Sequence, residues 1–327
     1  MTLEAFRALQ ESGLGVVDVG SRGEGHPIVS EIGPLVDLVG FEPDGEECQR
    51  LNAVAARTGV RSAVHLPFAL GATEERRTLH LCRSRGTSSF HRPNRAFLDR
   101  FLHAERFDVV ATRSVPVRSL DSLRSDLGTR LPPYLGFLKI DTQGFELDVV
   151  RGARRTLQEE IVGVEVEVGF APLYESQSAF RDVDGLLAEC GFSLFKLRRL
   201  HWVRRGYQAD PERSAGQLVF GDALYLRDPL AQTPRSPAIK DARQAEALVL
   251  IASLYDLHDF ALELVDAPQI AAVLDAGQVA RYVRRRSRLG GLRGVWRRRG
   301  DALGILAWLH GYSRDWGRGD RDFYSRR

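Results

Sequence analysis

Leu138-Lys139-Ile140-Asp141-Thr142-Gln143-Gly144-Phe145-Glu146, preceded by Leu135 and Phe137, is the stretch that decides the fold. An apolar run ends in a carboxylate, then a glycine turn, then a second carboxylate. A buried parallel strand that hands an acid to the carboxyl edge of a sheet reads this way. In open α/β sheets, ligands bind at that edge. The following segment, Phe145 to Leu157, places Val149, Val150, Ala153 and Leu157 on one helical face. Glu146 falls in its first turn, where the helix dipole favours negative charge.

The same alternation extends in both directions. Leu14 to Val19 and Leu35 to Phe41 are continuous apolar runs near glycines, as buried strands require. Ser62 to Leu70 reads as a third strand and Arg76 to Cys82 as an edge strand. Residues 84–113 read as irregular, with a helix from Asn94 to His103. Beyond the central unit come a strand at Ile161 to Val168, a helix at Phe180 to Cys190 ended by Gly191, and a closing pair at Phe192 to Leu197 and Leu218 to Leu226. Strand–helix alternation on this scale predicts a doubly wound α/β sheet with helices on both faces. Residues 228–237 carry three prolines and read as a linker between a domain at 1–227 and a helical, arginine-rich module at 238–327.

The 327 residues, 43% of them hydrophobic, suit one large domain with an appendage. No run of about 18 apolar residues suggests a membrane span. The first residues lack the basic and apolar regions of a secretory signal. Cys48, Cys82 and Cys190 are far apart and without metal-ligand spacing, as in a reducing cytoplasm, which is the expected compartment. Net charge is only +3, and lysine occurs only at 139, 196 and 240.

The first strand runs into Asp18-Val19-Gly20-Ser21-Arg22-Gly23-Glu24-Gly25. The glycines let the backbone pass close to a ligand. Their spacing is not the dinucleotide fingerprint, and an acid at Asp18 suits positive charge while repelling a pyrophosphate. Those two features argue against a nicotinamide oxidoreductase. The second strand ends Gly40-Phe41-Glu42-Pro43-Asp44, with Glu42 placed to accept from ribose hydroxyls. Asp18, Gly20, Ser21, Gly23, Glu42 and Pro43 therefore form the candidate cofactor set. It fits S-adenosylmethionine, which carries a ribose, an amino acid tail and a sulfonium but no phosphate.

With these pieces in place, the chain resembles the FkbM family of S-adenosylmethionine-dependent methyltransferases over roughly residues 14–226. The resemblance is carried by Val16-Val17-Asp18-Val19-Gly20, Gly40-Phe41-Glu42-Pro43-Asp44, Gly86-Thr87-Ser88-Ser89, Val117-Arg118-Ser119-Leu120-Asp121-Ser122-Leu123, the stretch from Leu138 to Glu146 with Gly152-Ala153, and Glu165-Val166-Glu167-Val168 leading to Pro172-Leu173-Tyr174. It implies a Rossmann-like seven-stranded methyltransferase sheet and O-methylation of a hydroxyl on a sugar or secondary metabolite. Many members carry Gly-Ala-Asn where this chain has Gly20-Ser21-Arg22.

Methyl transfer from a sulfonium is an in-line displacement, so the protein must align acceptor oxygen, methyl carbon and sulfur. A hydroxyl acceptor also needs a base or a metal to take up its proton. Asp141, at the tip of the central strand, is the candidate for that role; it is equally placed to cap the next helix. Glu165 and Glu167 share one face of the next strand, and Glu167 is the nearer to its edge. Asp141 with Glu167 offers oxygen ligands for a divalent cation, or ion pairs to Lys139 or Arg151. Ser88, Ser89 and His91, in the irregular insertion, and Tyr174 are candidates for the acceptor, a small molecule or glycan.

The arginines at 281, 284, 285, 286, 288, 293, 297, 298 and 299, with Trp296 among them and Trp308 following, suit an anionic membrane surface or an acidic polymer. No base-reading motif accompanies them. The alternative to an enzyme is a non-catalytic scaffold on a methyltransferase fold that works through this basic surface.

Overall fold

The computed structural model describes residues 3–23, 26–55, 59–126, 131–207, 214–231, 238–288 and 318–319. Its strands are β1 (Leu14–Val19), β2 (Val36–Phe41), β3 (Ser62–Leu66), β4 (Ala69–Leu70), β5 (Glu75–Cys82), β6 (Val109–Arg118), β7 (Leu135–Ile140), β8 (Gly163–Gly169), β9 (Phe192–Trp202), β10 (Gln217–Arg227) and the two-residue β11 (Arg318–Gly319). Seven of them form the main sheet in the order β3-β2-β1-β7-β8-β10-β9, and β11 adds a short eighth strand beside β9. The first five in that order are parallel; β10 runs antiparallel to both β8 and β9. The chain starts in the middle, moves out to β3, and returns to place β7 on the other side of β1. That reversal creates a crevice at the carboxyl ends of β1 and β7.

Register brings the functional tips level. Val19 pairs with Phe41 on one side and Ile140 on the other, so Gly20, Glu42 and Asp141 leave the sheet side by side. Strand residues alternate between two apolar layers. Val17, Val19, Leu138, Ile140 and Val166 meet the helices Leu120–Asp126, Glu146–Gly152 and Phe180–Glu189. Val16, Phe137, Val162 and Leu224 meet the helices Arg7–Ser12, Pro27–Ile32, Ala242–Leu254 and His258–Asp266 and a helix over 276–288.

That second layer bears on the domain boundary. Residues 238–288 do not stand apart as a module; they cover one face of the sheet. From Gln244 to Leu254 every residue is buried, so this helix is enclosed on all sides, and its polar Gln244, Glu246 and Ser253 are hydrogen-bonded within the protein. Its Glu246 accepts from the Ala8 and Leu9 amides (3.2 and 3.0 Å), tying the helix to the amino-terminal one. The linker residues 232–237 and the arginine-rich stretch from 289 to 317 lie outside the described residues.

Local differences have local causes. The strand expected over 62–70 breaks at Pro67 into β3 and β4, which join different sheets. The segment read as irregular runs into β6, which pairs with β4 and β5 in a separate three-stranded sheet. Its outer half, Val109 to Ser114, is exposed, so no apolar alternation marks it. The helix expected over 94–103 is a single turn, Arg95–Leu98, capped by Asn94.

Candidate functional site

The loops after β1 and β7 touch. Gly20 has φ +77°, and a Cβ there would lie 2.0 Å from the Asp141 carbonyl oxygen, so this crossing requires glycine. The Gly20 amide donates to Phe41 O and the Asp141 amide to Val19 O, both at 3.0 Å, which laces the three tips together. Above them opens a cleft of about 170 Å³, lined by Gly20, Arg22, Phe41, Glu42, Pro43, Leu70, Ser88, Phe90, Asp141 and Gln143 among others. Small-molecule sites have this mixture of apolar walls and few polar groups.

Glu42 closes one end. Its carboxylate is buried, accepts from the Asp44 amide (2.8 Å) and lies 3.6 Å from Arg22. Burial pushes its pKa above the usual carboxylate range, against the pull of that amide and of Arg22. Arg22 also pairs with Asp44 at 2.9 Å.

Below the cleft, Lys139 Nζ sits 3.4 Å from Asp18 and 3.7 Å from Asp141. Burial alone would favour the neutral amine; Asp18, Asp141 and Glu165 outweigh it and hold the ammonium charged, with its pKa above normal. Asp18 is buried, whereas the Asp141 side chain is 40% exposed and faces the cleft. Glu165, on the same face, is buried between His26 Nε2 (3.2 Å) and the Tyr255 hydroxyl.

The turn after β7 is built around Gln143. Its φ of +57° and that of Gly144, +102°, are left-handed, and the turn holds them in place. The Gln143 amide nitrogen donates to Asp141 (2.8 Å) and to Glu167 (3.0 Å). Its amide oxygen lies 3.0 Å from the Tyr174 hydroxyl, whose proton is shared with Thr87 O at 2.9 Å. Ser89 Oγ donates to the Gln143 carbonyl at 2.6 Å. Glu146 accepts from the Thr142 and Gly144 amides at 2.9 and 3.0 Å. Glu167 stands opposite Asp222 across β8 and β10, and Asp222 pairs with Arg198. Burial, then the charges of Asp141, Glu146 and Asp222, push the Glu167 carboxyl well above its ordinary pKa; burial pushes Asp222 up to about 6.

The sequence candidates therefore divide. Gly20, Glu42, Pro43, Ser88 and Asp141 line one cleft. Asp18 lies beneath it, bound to Lys139. Ser21 is buried against Gly40, and Gly23 donates to Glu47 at the surface, so neither lines the cleft. Glu24 and Gly25 lie outside the described residues. Tyr174 is 1% exposed and cannot stack on an acceptor; it orients Gln143 instead. Ser89 is likewise buried and anchors the Gln143 turn, while the ring of His91 packs beside Phe145. The carboxylates of Asp141 and Glu167 both accept from Gln143. No group of three or more His, Cys, Asp or Glu side chains that could hold a metal ion exists among the described residues, so the expected divalent cation finds no support here. Gln143 and Arg22 were the residues missed. The Gln-Gly pair at 143–144 was the available signal for a left-handed turn.

A doubly wound sheet with this strand order, a glycine crossing at the switch point and an acid at the tip of β2 defines a nucleoside-cofactor-binding α/β protein of methyltransferase architecture. The chain matches the model of the methyltransferase FkbM domain over residues 26–194, just over half its length, and it belongs to that family. It is similar to the FkbM methyltransferase from Methylobacillus flagellatus KT (16% identity, TM-score 0.36, covering 66% of this chain and 44% of that one). It is also similar to the magnesium protoporphyrin IX methyltransferase from Synechocystis PCC 6803 with bound S-adenosylmethionine (10% identity, TM-score 0.33, covering 69% and 77%). The chain thus spans under half the length of that FkbM structure. No curated protein matches it. No described helix is long and apolar enough to cross a membrane.

Proposed function

We propose that this methyltransferase uses S-adenosylmethionine to methylate a hydroxyl of a glycan or secondary metabolite. The observation that carries the reading is the single cleft that gathers Gly20, Glu42, Pro43 and Asp141 at the switch point. Its residues fit the cofactor: only a glycine lets the β1 loop pass, Glu42 at the tip of β2 lines the cleft with a carboxyl group suited to ribose hydroxyls, and Phe41 and Leu70 supply apolar walls. The cofactor supplies a methyl group already activated on a sulfonium. The chain must hold the acceptor in line and receive its proton.

Asp141 takes that proton. It is the cleft-lining carboxylate at the tip of the central strand, and two contacts fix it: Gln143 donates to one oxygen and Lys139 lies near the other. Lys139 balances Asp18 and Asp141 together, which keeps negative charge beneath the site without repelling a hydroxyl. Ser88, at the cleft wall, contacts the acceptor.

Isothermal titration with S-adenosylmethionine, followed by transfer of a labelled methyl group to a panel of glycan and polyketide alcohols, tests this. Cofactor binding and transfer in the parent, with transfer lost but binding retained in Asp141→Asn, support the reading. Absence of cofactor binding would favour a scaffold role, and transfer to nitrogen or carbon acceptors alone would refute O-methylation.

A further inference from the structure

The helix over 276–288 treats its arginines in two ways. Arg286 is buried, ion-paired with Glu31, and donates to Ser253 O at 2.7 Å. Arg281, Arg284, Arg285 and Arg288 are exposed, and they line an open groove against the amino-terminal turn at Glu4. They recur at i, i+3, i+4 and i+7, so they form one stripe. None of the four has an ion-pair partner within 4.0 Å among the described residues. Glu4 is the one carboxylate lining the groove, and the floor is Tyr282, which packs edge-on against Phe6 at 4.9 Å.

We infer that this stripe docks the protein on a phosphate-bearing, anionic phospholipid surface. Seven residues of helix span about 10 Å, more than one phosphate can bridge. Guanidinia spread along a line match phosphates spread over a surface, each taking its own pair of hydrogen bonds. The chain continues with Arg293, Arg297, Arg298 and Arg299 among Val295, Trp296 and Trp308, a composition suited to a headgroup layer. The groove shares no lining residue with the cleft at the carboxyl edge, so a surface docked on the stripe does not use the residues that form that cleft.

The test is sedimentation of the full chain with vesicles of pure phosphatidylcholine and of phosphatidylcholine containing about one third phosphatidylglycerol. Binding to the second alone, weakening with salt, is expected. Each arginine near such a surface is worth about fivefold in affinity, so Arg281→Gln/Arg285→Gln should bind about 25-fold less tightly. An Arg281→Lys/Arg285→Lys control should stay close to the parent and guards against loss of folding. Equal binding to both vesicle types, an unchanged glutamine variant, or a stronger grip on single-stranded RNA than on the anionic vesicles would each overturn the inference.

Discussion

Replacing Lys139 by Met tests the charge arrangement under the cleft at its centre. Methionine keeps the apolar stem and removes the ammonium that lies 3.4 Å from Asp18 and 3.7 Å from Asp141. Asp18, with a side chain only 5% exposed, would be left as an uncompensated buried charge. Breaking a buried pair from one side costs about 3–5 kcal/mol. The Asp141 contact is partly solvent-screened, so its share is at most about 1 kcal/mol. Urea unfolding followed by far-ultraviolet circular dichroism at pH 7 should therefore show a loss of about 3–5 kcal/mol with an unchanged slope. Adding Asp18→Asn should recover most of it, because both charges are then gone. The folded pKa of Lys139 is raised above its unfolded value of about 10.4, so the stability it confers is complete below that pH and lost as pH rises through the folded value. The gap between parent and variant should stay flat from about pH 6 to 9. A deficit under about 1 kcal/mol, or a double variant no more stable than the single one, would refute the reasoning.

Other consequences can be checked in the same way. Gly20→Ala would place a methyl 2.0 Å from the Asp141 carbonyl at φ +77°, so calorimetry should find cofactor binding lost. Glu167→Gln removes a carboxyl whose pKa is raised in the folded state. Stability should then rise by about 1–2 kcal/mol at pH 8 and by little near pH 4, where the parent's carboxyl is already protonated; a gain equal at both pH values would contradict it. Tyr255→Phe deletes the hydroxyl that binds Glu165, and thermal unfolding should report a loss of about 1.5–3 kcal/mol. S-adenosylmethionine at about 100 times its dissociation constant should stabilise the parent by about 2.7 kcal/mol in the same measurement.

The carboxy-terminal helices that help bury one face of the sheet show where reading by pattern stops. Residues from 238 onward read correctly as helical, yet composition suggested a detached module, because a proline-rich linker precedes them. A largely apolar helix has to be covered, and only the fold reveals that the cover includes the sheet itself, with Glu246 reaching back to Ala8 and Leu9. Tyr174 makes the same point in the site. An aromatic residue in a motif near an active-site edge invites a substrate-stacking role; enclosure at 1% exposure turns it into a support for Gln143.

From sequence alone came the buried strands, the acids at their tips, the glycine turn after the first strand and the resemblance to the FkbM family that the domain match bears out. These are written in short-range order: apolar periods, a glycine where the backbone must turn, a carboxylate where a strand ends. Tertiary structure alone decided which tips share a cleft, that Gln143 joins Asp141 to Glu167, and that β4, β5 and β6 form a second sheet. Each of those depends on partners brought together by folding, through pairings that residues distant along the chain do not announce in their local pattern.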